Sequence, residues 1–287
     1  MNIILTHSDF DGAVCAILFK QVFPEGKVFK GTYANINDIF RTQIVESKEK
    51  LENVFITDIS LKEDEFKDYL ESHKNLHFID HHPRETPSLI KNQLHSIKAS
   101  GCYLTLKYLQ KNFNYVPTKA IENLVKFGND YDTWKHDFKI SKIINRLYYF
   151  YSFEKFLERF KNGFSEFLPS EKDFIVKNNN YLQDLFKKTE YLKVAENVYF
   201  IMVTDAIDEV ADYFFKINPA LDTVFILNSK NNSLSMRGKH EIDYGKFLIP
   251  FGGGGHPNAA AVKIKNPNET FKIIETFLEE RAKDDYK

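Results

Sequence analysis

Short apolar runs alternate with segments of helically spaced apolar residues through the first half of the chain. The pattern predicts strands over residues 3–6, 28–33, 54–57 and 76–79, with a weaker fifth strand over 95–99. It predicts helices over residues 12–23, 36–47, 62–72, 101–112 and 118–127. Strands that alternate with helices in this way are typical of a parallel sheet covered on both faces.

The second half of the chain has a different pattern. Residues 141–193 are helical and aromatic, and Ser170 with Asp173 resembles the capping box of a long helix. Strands are predicted over 198–203, 223–227 and 234–236, helices over 205–215 and 268–284, and a turn at Asn231 and Asn232. The sequence therefore predicts an α/β protein: a parallel-sheet domain (1–140), a helical linker (141–193) and a smaller α/β domain with a mixed sheet (194–287), with a cleft between the two domains.

Composition and charge narrow the functional classes. Apolar residues make up 43% and charged residues 28% of the 287 residues, as in an ordinary globular protein, and no apolar run is long enough to span a membrane. The two cysteines, Cys15 and Cys102, favour a reduced cytoplasmic protein over a disulfide-bonded one. The 39 basic and 40 acidic residues give a net charge of −1, which does not favour binding to long duplexes and suggests that any nucleic-acid substrate is short.

Acidic residues and histidines stand where four of the predicted elements end. The first strand is followed by His7, Asp9 and Asp11, the third by Asp58, the fourth by Asp80, His81 and His82, and the fifth helix by Asp130 and Asp132. A single Asp after a strand is more often a helix cap or a turn residue than a functional group. The carboxyl ends of parallel strands meet at one edge of the sheet, however, so these side chains are expected to converge there.

Several carboxylates packed together repel one another and need a cation to neutralise them. The candidate ligands are oxygen and imidazole groups without cysteine, a set that suits Mn²⁺ or Mg²⁺ better than structural zinc. With five or six ligands, two ions that share a bridging carboxylate are the simplest arrangement. The sequence thus predicts a two-metal site.

The same residues resemble the DHH superfamily of phosphoesterases. Asp80-His81-His82 matches the motif that gives the superfamily its name, residues 7–12 match its first motif, and residues 128–134 look like its fourth. Residues 252–260 resemble the signature of the DHH-associated C-terminal domain, and residues 235–238 its phosphate-binding segment. Within the superfamily the chain looks most like the nanoRNases, which hydrolyse short oligoribonucleotides.

The resemblance implies two Mn²⁺ ions, with Mg²⁺ or Co²⁺ as alternatives. It assigns His7 and Asp9 to the first ion. It assigns Asp11, His81 and Asp132 to the second ion, and Asp58 to both. His82 would point at the substrate phosphate, and Asp80 is well placed to orient a ligand imidazole. Asp130 and Asp132 compete for the fourth-motif position, and the offset after Gly128 favours Asp132.

A second group of candidates would bind the substrate. The glycine run can approach a ligand closely and offer amides to an anion, and no Lys-Ser or Lys-Thr follows it as in a Walker loop. Arg237 suits bidentate phosphate contact. Ser100 stands at the start of a predicted helix, whose first amides could bind an anion. A role as the helix cap explains the serine equally well. The candidates for substrate binding are Gly253, Gly254, Gly255, His256, Arg237 and Ser100.

Together these features predict a manganese-dependent phosphodiesterase. It would hydrolyse short single-stranded RNA or DNA, or related small nucleotides, to nucleoside 5′-monophosphates through two-metal activation of water. The alternatives are a cyclic-dinucleotide or 3′-phosphoadenosine phosphate phosphoesterase, a single-strand exonuclease, and a non-catalytic nucleotide-binding protein. No membrane partner is expected, and a homodimer is left open.

Overall fold

The protein is described by a computed structural model that covers residues 1–84, 86–238 and 241–284. The chain divides into two compact units, Met1–Glu171 and Lys172–Lys287. One long helix, Pro169–Lys188, crosses this division. Within the described residues, no helix is both long and apolar enough to cross a bilayer.

The first unit contains a five-stranded parallel sheet. Its strands are β1 (Asn2–His7), β2 (Lys27–Gly31), β3 (Asn53–Thr57), β4 (Leu76–Asp80) and β5 (Asn92–His95), in the spatial order β2-β1-β3-β4-β5. Its helices are α1 (Phe10–Val22), α2 (Ile36–Phe40), α3 (Lys67–Ser72), α4 (Gly101–Phe113), α5 (Lys119–Asp132), α6 (Lys139–Tyr151) and α7 (Phe153–Phe160). The predicted parallel α/β architecture is confirmed.

Alternation along the strands explains why both faces of this sheet are covered. Ile3 and Leu5 in β1 belong to one buried cluster, which also contains Phe40 from α2 and Leu70 from α3. Ile4, between them, is completely buried on the opposite face. Strands buried on both faces read as continuous apolar runs, which is the pattern of the sequence.

Several predicted elements of this unit differ from the structure. The helix over 62–72 is a 3₁₀ turn, Glu63–Phe66, followed by α3. The fifth strand is Asn92–His95 instead of 95–99, and Ile97 in the predicted span is 67% exposed. The predicted helix over 36–47 is a short α-helix that continues as a π-helical turn, Arg41–Val45. The helix predicted to end at residue 127 continues to Asp132, so the acidic residues predicted to follow it form its last turn.

The long helix α8 (Pro169–Lys188) does not use the predicted capping box. The helix begins one residue before Ser170, and Pro at a first helical position is favourable because its missing N–H has no intrahelical partner there. The buried carboxylate of Glu171 accepts a hydrogen bond from the Leu168 amide at 2.7 Å and pairs with Arg159. A buried acid therefore replaces the predicted cap.

The second unit contains a six-stranded mixed sheet. Its strands are β6 (Tyr191–Ala195), β7 (Val198–Val203), β8 (Thr223–Asn228), β9 (Ser233–Gly238), β10 (Gly254–His256) and β11 (Ala259–Lys263), in the spatial order β10-β11-β9-β8-β7-β6. Only β7 and β8 pair in parallel. The helices are α9 (Ile207–Ile217), α10 (Tyr244–Leu248) and α11 (Pro267–Asp284). The mixed sheet was predicted, but β6, β10, β11 and α10 were not.

Candidate metal centre

The topology of the first sheet brings the predicted acidic residues to one edge. Strand β1 lies between β2 and β3, and β3 lies beside β4, so the carboxyl ends of these parallel strands are neighbours. His7 is the last residue of β1, Asp58 directly follows β3, and Asp80 is the last residue of β4. Three chain segments far apart in sequence therefore meet at one rim.

The first group of ligand-type atoms comes from His7, Asp9 and Asp58, and these atoms lie within 4.8 Å of one another. Asp9 caps helix α1 by accepting a hydrogen bond from the Gly12 amide, and its second oxygen lies 2.5 Å from His7 Nδ1. Burial opposes the charged form of Asp9, but the charge and hydrogen bond of His7 outweigh it and lower the Asp9 pKa. The Asp9 side chain is thus held as an anion.

The second group comes from Asp11, His81 and Asp132, whose ligand-type atoms also lie within 4.8 Å of one another. His81 lies between the two carboxylates: its Nδ1 is 3.5 Å from Asp132 Oδ2, and its Nε2 is 3.9 Å from Asp11 Oδ2. Asp58 connects the two groups, because its Oδ1 lies 3.0 Å from His81 Nε2. Asp58 is therefore a member of the first group and also contacts the second.

Three buried oxygens of this cluster fit bound cations. Asp11 Oδ2, Asp58 Oδ2 and Asp132 Oδ2 are inaccessible to solvent and have no hydrogen-bond partner among the described residues. Burial first, and then the charge of Asp11, raises the pKa of both Asp58 and Asp132 well above the ordinary range. Unpaired buried carboxylate oxygens are costly unless a cation or proton neutralises them. The donor set, with imidazole and no thiolate, suits Mn²⁺ or Mg²⁺.

Asp80 is buried and holds the histidines that follow it. Its Oδ1 accepts a hydrogen bond from the His81 amide at 2.8 Å and lies 2.8 Å from His82 Nδ1, and its Oδ2 accepts from the Ser60 hydroxyl at 2.7 Å. The imidazole that Asp80 orients is thus His82, whereas the sequence suggested a metal-ligand imidazole. Ser60 was not identified from the sequence, because only the folded chain brings it to Asp80.

Asp130 and Asp132 lie in the same helical turn but have different surroundings. Asp130 accepts hydrogen bonds from the amides of Asp137 and Phe138 and from the Ser141 hydroxyl, at 2.9, 3.2 and 2.6 Å. Its charge is therefore used to hold the loop that follows the helix. Asp132 instead lies beside His81 and Asp11, the position that the sequence favoured for a ligand.

Gly101, at the start of α4, is a feature of the site that the sequence did not single out. A Cβ atom at this position would lie 2.7 Å from Asp58 Cβ and 3.0 Å from Asp11 Oδ2. Any larger residue would push the two carboxylates away from their positions. The neighbouring Ser100 is completely buried, and its side chain accepts a hydrogen bond from the Tyr103 amide. Capping of α4 is therefore sufficient to explain a serine at this position.

The predicted phosphate-binding residues of the second unit lie on neighbouring strands. Arg237 is in β9, which pairs with β11, and β11 pairs with β10, the strand that contains Gly254, Gly255 and His256. Arg237 Nε donates to Asp208 Oδ1 at 2.9 Å, and its Nη1 donates to the Ala260 carbonyl at 3.2 Å. The sequence did not identify Asp208, which comes from α9.

The glycine run is part of the backbone structure of this sheet. Gly255 has a φ of +141°, and a Cβ atom there would lie 2.6 Å from the Ala259 carbonyl oxygen, so the position requires glycine. The Gly253 amide donates to the Leu248 carbonyl at 3.0 Å. The Gly253 amide predicted to bind an anion is therefore engaged within the chain.

Comparison with known proteins gives consistent results over nearly the whole chain. The profile of the DHHA1 domain matches residues 192–283. The chain is 27% identical to oligoribonuclease NrnB of Bacillus subtilis, over 96% of this chain and 75% of that protein. It is 23% identical to a 3′,5′-cyclic-nucleotide phosphodiesterase of Helicobacter pylori, over 93% of this chain and 94% of that protein.

A solved structure shares the fold. RecJ from Thermus thermophilus, in complex with Mn²⁺, superposes with a TM-score of 0.63 at 14% identity, over 99% of this chain and 52% of that one.

Proposed function

We propose that this chain is a metal-dependent phosphoesterase of the DHH superfamily that hydrolyses short oligonucleotides to nucleoside 5′-monophosphates. The match of residues 192–283 to the DHHA1 domain and the similarity to an oligoribonuclease support the proposal. The observation that carries this proposal is the pair of ligand groups connected by Asp58. The similarity to an oligoribonuclease supports the substrate class. The net charge of −1 also favours a short substrate over a long nucleic acid.

We assign two divalent cations, Mn²⁺ by preference, to the rim of the first sheet. His7 and Asp9 would hold one ion, Asp11, His81 and Asp132 the other, and Asp58 both. Bound there, such ions lower the pKa of water and neutralise charge on phosphoryl oxygens. The three unpaired buried oxygens of Asp11, Asp58 and Asp132 are what such ions would satisfy.

The remaining polar residues of the site have roles of their own. Asp80, held by Ser60, fixes the His82 ring, and we assign His82 to hydrogen bonding with a phosphoryl oxygen of the substrate. In the second unit, the pairing with Asp208 and the Ala260 carbonyl orients the Arg237 guanidinium, which we assign, with His256, to binding a phosphate or base.

The direct test is hydrolysis of end-labelled RNA and DNA of two to ten nucleotides by the purified full chain with Mn²⁺. We expect nucleoside monophosphates, fastest release from the shortest substrates, and complete inhibition by a chelator. An Asp58→Asn variant purified in the same way excludes a contaminating nuclease. Wild-type protein that binds Mn²⁺ but hydrolyses none of these substrates would contradict the proposal.

A second candidate function has one specific observation in its favour, the similarity to a cyclic-nucleotide phosphodiesterase. The same assay with cyclic dinucleotides, a 3′,5′-cyclic mononucleotide and 3′-phosphoadenosine 5′-phosphate distinguishes the two. Hydrolysis of cyclic substrates without hydrolysis of linear dinucleotides would favour this alternative. The cytoplasmic location, inferred from two cysteines that are unpaired in the structure, stays a prediction.

A further inference from the structure

Tyr33 lies at the rim of the candidate metal centre, although no motif contains it. It follows β2, whose last residue, Gly31, is paired with His7 at the end of β1. The turn after Gly31 is fixed by Asn35, whose side-chain oxygen accepts a hydrogen bond from the Thr32 amide at 2.8 Å. The backbone around Tyr33 is thereby held beside the carboxyl end of β1.

The Tyr33 ring lies next to two imidazoles with different assigned roles. Its centroid is 6.0 Å from that of His7, and 5.9 Å from that of His82, which it meets edge to face at 88°. His7 belongs to a candidate metal group, and His82 is assigned to the substrate phosphate. A flat apolar surface therefore adjoins the place where the phosphate would bind.

Tyr33 combines these ring contacts with access to solvent. The residue as a whole is 50% exposed. A partly exposed aromatic ring can stack on a nucleobase independently of base identity.

We propose that the Tyr33 ring stacks on the nucleobase attached to the phosphate at the metal centre, which makes it a substrate-binding residue. The inference rests on the proposed function, because it takes the ligand to be a nucleotide. A phosphate held near His82 leaves its own nucleoside within reach of a neighbouring aromatic ring. Tyr33 would thus distinguish nucleotides from phosphate esters without a base.

The competing explanation is that Tyr33 only packs against His7 and His82 and positions them. The two explanations differ in which ligands they affect. A positioning residue acts through the metals and the phosphate contact, so its loss weakens every phosphate ligand equally. A stacking residue affects only ligands that have a base.

The experiment compares binding of adenosine 5′-monophosphate and ribose 5-phosphate to the full chain with Mn²⁺ by titration calorimetry. Neither probe contains a phosphodiester bond, so the readout is independent of turnover. The variants are Tyr33→Leu, Tyr33→Phe and, as a control, Tyr103→Leu, which removes a 37% exposed tyrosine of α4. Thermal unfolding checks that each variant is folded.

We expect Tyr33→Leu to weaken adenosine monophosphate binding about tenfold, within the range for base–aromatic stacking, and to change ribose 5-phosphate binding less than twofold. Tyr33→Phe and Tyr103→Leu should behave like the wild type. Equal weakening of both probes by Tyr33→Leu, or of neither, would overturn the proposal. Failure of the wild type to cleave oligonucleotides, with the base-dependent loss intact, would instead refute only the proposed function.

Discussion

The candidate sites of the two units differ in how their charged side chains are neutralised. In the first unit, Asp58 is 1% exposed and one of its oxygens has no hydrogen-bond partner among the described residues. In the second, Arg237 is paired with Asp208 at 2.9 Å. The charge of Arg237 is therefore balanced by a side chain of its own unit. The unpaired oxygen of Asp58 instead needs a cation or a proton from outside the chain.

The difference explains why the two sites should respond differently to substitution. Removing a carboxylate from the first unit relieves repulsion in the metal-free protein, at the expense of function. Removing the charge of Arg237 leaves Asp208, which is only partly exposed, without its counter-charge, and this costs stability as well as binding.

The largest effect is expected for Asp58→Asn. Turnover should fall at least about 1,000-fold, since the bridging ligand is lost. The metal-free variant should nevertheless be more stable than the metal-free wild type, by about 1–3 kcal/mol near pH 7, because the wild type must either bury an unpaired charge at Asp58 or take up a proton there on folding. Urea unfolding in the presence of a chelator measures the difference.

The stability gain of Asp58→Asn should also depend on pH with a defined sign. The pKa of Asp58 is raised in the folded state, so the folded protein holds this proton more tightly than the unfolded chain. The wild type therefore loses stability from this group as pH rises above the unfolded pKa, near 4. The advantage of the variant should grow from pH 4 to pH 7. A constant advantage would mean that Asp58 is already ionised at pH 4.

The next-largest effects are expected for substitutions of two acids in one helical turn, Asp130 and Asp132. Asp132→Asn should lower turnover about 100-fold and leave the stability of the metal-free protein unchanged or higher. Asp130→Asn should destabilise the protein by about 2–4 kcal/mol, because Asp130 accepts three hydrogen bonds in a buried position. Metal affinity and thermal unfolding, measured on both variants, separate the two roles. The opposite outcome would exchange the assignments.

A smaller effect is expected for Arg237→Gln in the second unit. KM for a dinucleotide should rise about tenfold with little change in kcat, because the guanidinium is assigned to binding rather than to the reacting phosphate. Arg281→Gln is the matched control, since Arg281 also pairs with an aspartate, Asp222, at 2.8 Å. Equal effects of both substitutions would reduce the role of Arg237 to stability.

The smallest effect is expected for Ser60→Ala, which removes one of the hydrogen bonds that hold Asp80. Turnover should fall a few-fold, which corresponds to the net contribution of one hydrogen bond, about 1 kcal/mol. The pH dependence of kcat should shift as well, because Asp80 contacts His82. Ser60→Thr should restore both. A fall in stability without a change in the pH profile would make Ser60 purely structural.

The sequence was sufficient to predict the residues that stand at the ends of strands. His7, Asp58 and Asp80 each end or follow a buried parallel strand, and parallel pairing necessarily brings such positions together. Residues that act through tertiary contacts had no such signal. Gly101 touches Asp58, and Ser60 reaches Asp80, only because of how helices and loops pack on the sheet.

The elements that were mispredicted have related causes. The strand predicted over residues 95–99 is Asn92–His95 in the structure, since a short segment with few apolar residues does not fix strand position. The strands that contain the glycine run and Ala259–Lys263 consist largely of small residues with low strand propensity. They become strands through the pairing of β11 with β9 and of β10 with β11.

The central claim is that the first unit binds a pair of divalent cations through Asp58 and the two ligand groups around it. Equilibrium binding of Mn²⁺ to the metal-free full chain, followed by the electron paramagnetic resonance signal of free Mn²⁺, tests it directly. We expect about two ions per wild-type chain, weakened binding of both ions in Asp58→Asn, and unchanged binding in Arg237→Gln. Wild-type protein that binds no Mn²⁺, or binding that Asp58→Asn leaves unchanged, would contradict the account.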